Sequence, residues 1–398
     1  MVQSSLLSDN FVGRGTRLES TGPLFPFVDL QAQFSLIGAE ILDSISAVLE
    51  KQHFILGPEV GKLEKELAPL TGCSCAVGCA SGSDALLLSL LAMGVGANDE
   101  VITTPFTFVA TASSIARVNA RPVFIDIEPE TYNMDVRQLQ AAITPRTRAI
   151  IPVHLFGLPA NMSEIIEIAE AHRLEIIEDA AQAIGARWDG KPVGSLGRCG
   201  SVSFFPSKNL GGAGDGGMIV TNDQALADRV RLLRSHGSRQ KYKYEMLGLN
   251  SRLDEIQAAI LRVKLRYLAR WTAQRQLNAD RYRALASKYN LNPWITLPSS
   301  PNGCVHVYNQ FAIRTQRRDE LREYLTRAGI PTEIYYPLPL HLQPAFTYLG
   351  YRPGDCVEAE RASEQILCLP IFAELTEAQQ QTVMENIAAF FETTTERK

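Results

Sequence analysis

In "SFFPSKNLGGAGDGG" (203–217) one lysine, Lys208, stands between an aromatic, apolar approach and glycines 211, 212, 214, 216 and 217. A phosphate loop of the G-x-x-x-x-G-K-[ST] type needs its glycines before the lysine, so their order excludes that reading. An amine held against apolar surface has its charged form disfavoured and becomes a better nucleophile. Covalent chemistry at Lys208 therefore competes with a plain solvated lysine in a glycine turn.

Three further stretches weigh on that choice. Asp179 closes the apolar run in "LEIIEDAAQAIGA", at the carboxyl end of an expected strand, where open α/β sheets place ligand-binding groups. It either caps a following helix or pairs with a cation. A protonated ring nitrogen would be such a cation, in a charge-assisted bond of about 1.5–3 kcal/mol. Ser81, Gly82, Ser83 and Asp84 open a helical run that ends at Gly94. Free N–H groups at such a start bind phosphate, although the same pattern caps ordinary helices. Phe106 and Phe108 in "TPFTFVATAS" are either core residues or a platform for a flat ring. An amine, a carboxylate, a phosphate cradle and an aromatic platform together point to pyridoxal 5′-phosphate, whose aldehyde condenses with lysine and whose ring nitrogen pairs with an acid.

The elements that must position these residues are legible. Short β-branched runs at 100–105, 122–127, 148–154, 174–179, 201–206 and 216–221 alternate with helical spacing in "DALLLSLLAMG", "FVATASSIARVNA", "DVRQLQAAIT" and "MSEIIEIAEAHR". Nearly all-apolar strands separated by helices predict an α/β fold with a mostly parallel sheet covered on both faces. A helical pattern without proline or glycine runs from about 253 to 288. Beyond it come strands at 304–314 and 330–337, a helix stopped by Gly329, and a final helix with Thr376 as its N-cap. The expected division is a flexible segment over 1–26, a large domain over 27–269 and a smaller C-terminal α/β domain over 270–398.

Bulk properties narrow the function. The chain has 398 residues, 45% hydrophobic and 21% charged, with a formal net charge of −4. No strongly basic region speaks for nucleic acid. The sequence shows no long apolar block and no basic-then-apolar start, so neither a membrane span nor a secretory signal is expected. Seven cysteines, an odd number in a large chain, fit a reducing cytoplasm. Cys73, Cys75 and Cys79 cluster in "CSCAVGC" but lack C-x-x-C spacing and nearby partners, so no metal site is expected.

At this point the sequence resembles the sugar aminotransferases of the DegT/DnrJ/EryC1/StrS group, members of the fold-type-I, aspartate aminotransferase-like pyridoxal-phosphate enzymes. The resemblance covers about 27–391. It rests on "ILGPEVGKLEKELA", "SGSDALLLSL", "TPFTFVATA", "PVHLFG", "IEDAAQAIGA", "SFFPSKNLGGAGDGG", "GLNSRLDEIQAAIL" and "LCLPIF", in that order. It implies a large domain built on a seven-stranded sheet. It implies Lys208 as the imine-forming lysine and acid–base, Asp179 on the pyridine nitrogen, Gln182 beside the 3-hydroxyl and Phe108 on the ring. Gly82, Ser83 and Ser203 would hold the phosphate. Asn250 would reach the phosphate of a neighbouring subunit's site, which implies a homodimer with shared sites.

The resemblance also bears on the reaction. A branch of the group has histidine at the position of Lys208 and dehydrates sugars; the lysine here favours transamination. Glutamine at 182, where some C-4 enzymes have histidine, leans toward amination at C-3, with C-4 as the alternative. Many members read "HYP" where this chain has Tyr335, Tyr336 and Pro337, which leaves the sugar open. Arg239, Lys241 and Tyr242 are candidates for the nucleotide diphosphate, and His154, Tyr336 and His341 for the sugar. The expected reaction moves an amino group from L-glutamate or glutamine to a nucleotide-linked ketosugar. The rivals are a racemase, a cysteine desulfurase using Cys304, and a regulatory or sensing protein that keeps the fold without turnover.

Overall fold

A computed structural model of the chain describes residues 22–395 except 299. Seven strands form the central sheet in the order Cys75–Cys79, Gly217–Thr221, Cys199–Ser203, Glu175–Asp179, Thr147–Ile150, Glu100–Thr103 and Arg121–Phe124. Only Gly217–Thr221 runs antiparallel to its neighbours; the other pairings are parallel. The predicted α/β class and mostly parallel sheet are therefore present.

Successive strand residues point to opposite faces, and both faces are covered. Val77, Ile177 and Ile219 pack under the helices Gly82–Ala92 and Gln224–Leu233. Ala76, Val202, Met218 and Val220 face Pro58–Leu70 and Glu255–Leu265 on the other side. Further along the sheet, Ile102, Ile150 and Ile176 meet Val136–Ala142 and Met162–His172. This two-sided burial is why the strands read as unbroken apolar runs. A second core forms around the antiparallel pair Phe311–Arg314 and Ile366–Leu369, covered by Arg318–Arg327 and Glu377–Thr395.

Several expected boundaries move. The helical pattern over 253–288 is two helices, Glu255–Leu265 and Leu268–Lys288. They separate at Arg266 and Tyr267, whose side chains both bind the Glu40 carboxylate of the helix Leu30–Lys51. The expected strand over 304–314 breaks into Cys304–Val305 and Phe311–Arg314, with Tyr308 between them at φ 46°. The stretch 330–337 makes only one bridge, Glu333 to Cys368. Residues 1–21 of the expected flexible segment lie outside the described residues. Its remainder is tied down: Leu24 N–H donates to Gly329 O at 2.8 Å, and Phe25 is buried in the second core.

The helix Leu30–Lys51 reaches the length and hydropathy of a membrane span. It nevertheless carries Glu40 and Asp43, and its Ile37 and Ile41 pack against Ile260, Val263 and Trp271.

Candidate active site

The carboxyl ends of the parallel strands converge on a cavity of ≈ 390 Å³. Lys208, Asp179, Gln182, Gly82, Ser83, Ser203, Phe108 and Tyr336 all line it. Each arrives for a local reason. Ser203 ends its strand, and the chain then turns so that Lys208 N–H donates to Phe205 O at 2.9 Å. The glycines after the lysine let this loop fold onto itself: a Cβ on Gly211 would lie 2.2 Å from Pro206 O. They shape the turn behind the lysine, which explains why the order fails as a phosphate loop.

Lys208 Nζ makes no hydrogen bond or ion pair with the described residues. Burial pushes its pKa down to about 8, and the nearby Asp179 charge opposes that only partly. A useful fraction is thus free amine at neutral pH. Asp179 is 5% exposed. Its Oδ2 accepts from Thr111 Oγ1 at 2.8 Å and its Oδ1 from Ala181 N–H at 3.2 Å. Burial raises its pKa, while these donors and Lys208 pull it back. Turns at 181–182 and 184–185, not a helix, come directly after Asp179, so it does not act as a helix cap.

Gln182 Oε1 accepts from Phe156 N–H at 2.6 Å, and its Nε2 donates to Tyr336 Oη at 3.2 Å. A backbone N–H can only donate, so this contact fixes the amide orientation. At the helix Gly82–Ala92, Ser81 Oγ accepts from Asp84 N–H and caps the helix. That leaves the N–H groups of Gly82 and Ser83 outside the helix's own bonding, at its positive end. Gly82 is required by packing, since a Cβ there would lie 2.7 Å from Ser203 Cβ. Phe106 is fully buried, whereas Phe108 is 54% exposed and faces the cavity. A phosphate cradle, an aromatic face, a carboxylate and an unpaired amine in one cavity fit the donor set that pyridoxal phosphate needs.

Other candidates fall elsewhere. His154 is fully buried, with Nε2 2.9 Å from Glu178 Oε2, and its Nδ1 accepts from Ala160 N–H. Glu178 also accepts from the N–H groups of Gly194, Leu196 and Gly197. This buried pair braces the strand end beside Asp179, and neither residue lines the cavity. His341 is also buried, 3.0 Å from Glu360, and lies outside the cavity lining. Both histidines, expected as sugar contacts, are thus buried beside carboxylates and outside the cavity lining. Arg239, Lys241 and Tyr242 lie on the exposed ribbon Ser238–Gln240/Lys243–Tyr244, and Asn250 is exposed beside it. None of the four lines this chain's own cavity. Sequence reasoning missed Thr107, Thr111 and Gln310. Thr111 was findable, because it lies one helical turn beyond Thr107 in the "TPFTFVATA" motif.

The comparisons agree with the geometry. The model of the DegT/DnrJ/EryC1/StrS aminotransferase family matches residues 35–388. A "Pleiotropic regulatory protein" of Geobacillus stearothermophilus is 51% identical over 92% of this chain and 98% of its own. The UDP-N-acetyl-3-dehydro-alpha-D-glucosamine 3-aminotransferase of Acidithiobacillus ferrooxidans is 48% identical over 89% and 94%. The crystal structure of S. venezuelae DesV in complex with a ketimine intermediate superposes with a TM-score of 0.90 at 42% identity, covering 94% of this chain and 99% of that one. With its site built from the motifs that carried the resemblance, the chain belongs to the DegT/DnrJ/EryC1/StrS aminotransferase family.

Proposed function

We propose that this protein is a pyridoxal-phosphate-dependent aminotransferase that delivers an amino group to C-3 of a nucleotide-linked ketosugar. The 3-aminotransferase activity named for the Acidithiobacillus relative supports the position. The observation that carries the reading is the pairing, in one cavity, of a desolvated and unpartnered Lys208 with a buried Asp179. When bound, the cofactor supplies the electrophilic carbon and the electron sink that transamination needs. The chain's own residues do the rest. Lys208 Nζ takes the proton from the α-carbon of the donor, L-glutamate or glutamine, and returns it. Asp179 holds the proton on the ring nitrogen. Gln182 presents an N–H to the ring oxygen, Phe108 covers the ring face, and Gly82, Ser83 and Ser203 grip the phosphate.

The finer reading is a homodimer. Asn250, Arg239, Lys241 and Tyr242 face outward from their own cavity, which supports a role at a partner's site. A cytoplasmic location is consistent with seven free cysteines. The regulatory reading gains support from the names of two relatives, the Geobacillus protein and the "Erythromycin biosynthesis sensory transduction protein EryC1" of Saccharopolyspora erythraea.

The test is an absorbance spectrum of the protein loaded with pyridoxal phosphate, before and after L-glutamate. Conversion of the bound cofactor to its amino form, reversed by a UDP- or dTDP-linked 3-ketosugar, is expected. A stable cofactor band that ignores every amino donor would favour a sensing role and overturn transamination.

A further inference from the structure

We propose that Thr107 and Thr111 form a directed hydroxyl relay that holds the Asp179 carboxylate ionised and oriented, making Thr111 a positioning residue for the ring-nitrogen contact. The inference rests on the functional reading above and deepens it. Thr111 Oγ1 lies 2.8 Å from Asp179 Oδ2 and 3.1 Å from Thr107 Oγ1. All three residues are buried, Thr111 completely. An ionised carboxylate only accepts, so the single Thr111 proton goes to Asp179. Thr107 must then be the donor in the threonine pair. Two O–H dipoles are thereby aligned head to tail toward the carboxylate, each strengthening the other.

Asp179 needs this support because burial disfavours its charged form. The Thr111 hydroxyl is the largest opposing influence, followed by Ala181 N–H, Lys208 and His154. The titratable groups that face Asp179 are Lys208, from the turn after Cys199–Ser203, His154, from the segment after Thr147–Ile150, and Tyr336 from the C-terminal part. Lys208 exchanges its proton during turnover, so its charge is intermittent. The relay is a constant dipole. Oδ2 is engaged by Thr111 and Oδ1 by Ala181, which fixes the carboxylate plane and the direction of the remaining lone pairs.

Thr111→Val keeps the shape and removes the hydroxyl; Thr111→Ser keeps the hydroxyl and removes the methyl. Two readouts are needed, the dissociation constant of pyridoxal phosphate and the acid limb of the L-glutamate half-reaction against pH. Thr111→Val is expected to weaken cofactor binding about tenfold and move the acid limb up by about one pH unit, because Asp179 becomes protonated more easily. Thr111→Ser should restore both, and Thr107→Val should shift both in the same direction by less. Should Thr111→Val fail to fold, Thr107→Val carries the test. Wild-type values in Thr111→Val, or equal damage in Thr111→Ser, overturn the relay. Wild-type protein that takes up no pyridoxal phosphate would instead overturn the functional reading beneath it.

Discussion

Lys208 is costly to the fold while it carries its proton, and the same burial favours the free amine that chemistry requires. Its pKa falls from 10.5 to about 8 because burial strips water from the ammonium. A group with a depressed basic pKa destabilises the fold wherever it is protonated in both states, that is below about pH 8. The penalty fades as pH rises toward 10.5, where the unfolded lysine also loses its proton. The shift corresponds to about 3 kcal/mol at pH 7. Lys208→Met is therefore expected to abolish transamination yet raise the unfolding free energy of the cofactor-free protein at pH 7, with a smaller gain at pH 9.5. Denaturant unfolding at the two pH values checks this. An unchanged or lowered stability at pH 7 would mean that the amine is well solvated. Asp179 and Lys208 were both legible from local context, since each breaks an apolar pattern. His154 was misleading for the same reason. Its partner Glu178 lies on the neighbouring strand, so only the sheet order reveals that the histidine is satisfied.

At the scale of elements, the sheet strands between 100 and 221 and the caps were legible because their signals are local, whereas the strand Cys75–Cys79 was not read and the strands expected at 304–314 and 330–337 do not form whole. Thr376 Oγ1 accepts from Gln379 N–H and Gln379 Oε1 accepts from Thr376 N–H, a reciprocal cap written in the sequence. The break at Arg266 and Tyr267 was not legible. No glycine or proline marks it, and the residues that fix it sit on Leu30–Lys51, more than two hundred positions away. The start of Gly82–Ala92 shows the same mixture. Its cap is local, but the need for glycine at 82 comes from Ser203 on another strand. Gly82→Ala places a methyl 2.7 Å from Ser203 Cβ, so strand and helix must part where the phosphate is gripped. The expected result is a roughly tenfold or greater loss of pyridoxal-phosphate affinity and a destabilisation of about 1–3 kcal/mol. A cofactor titration checks it, and wild-type affinity would remove Gly82 from the cradle.

At the scale of the whole molecule, large apolar side chains stand exposed on two stretches of the chain. The helix Leu30–Lys51 exposes Leu30, Phe34, Leu42 and Leu49, and the segment after it exposes Phe54, Ile55 and Leu56. Leu247 is 98% exposed, three residues before Asn250 and beside the aromatic ribbon that carries Tyr242 and Tyr244. Scattered leucines on a surface are ordinary, but contiguous apolar patches mark interfaces. A second copy seated here would cover Leu247 and bring Asn250 and the basic ribbon to an adjoining cavity, which matches their absence from the cavity of their own chain. An isologous pair does this twice, once for each site. Light scattering is expected to give twice the chain mass. Leu247→Asp, which buries a charge at that contact, should raise the dissociation constant of the pair by at least tenfold. Activity with the nucleotide ketosugar should then fall with dilution, and the unfolding of the separated chain should remain cooperative. A monomer that keeps full activity at every concentration would remove the partner from the site and return Arg239, Lys241 and Asn250 to the solvent.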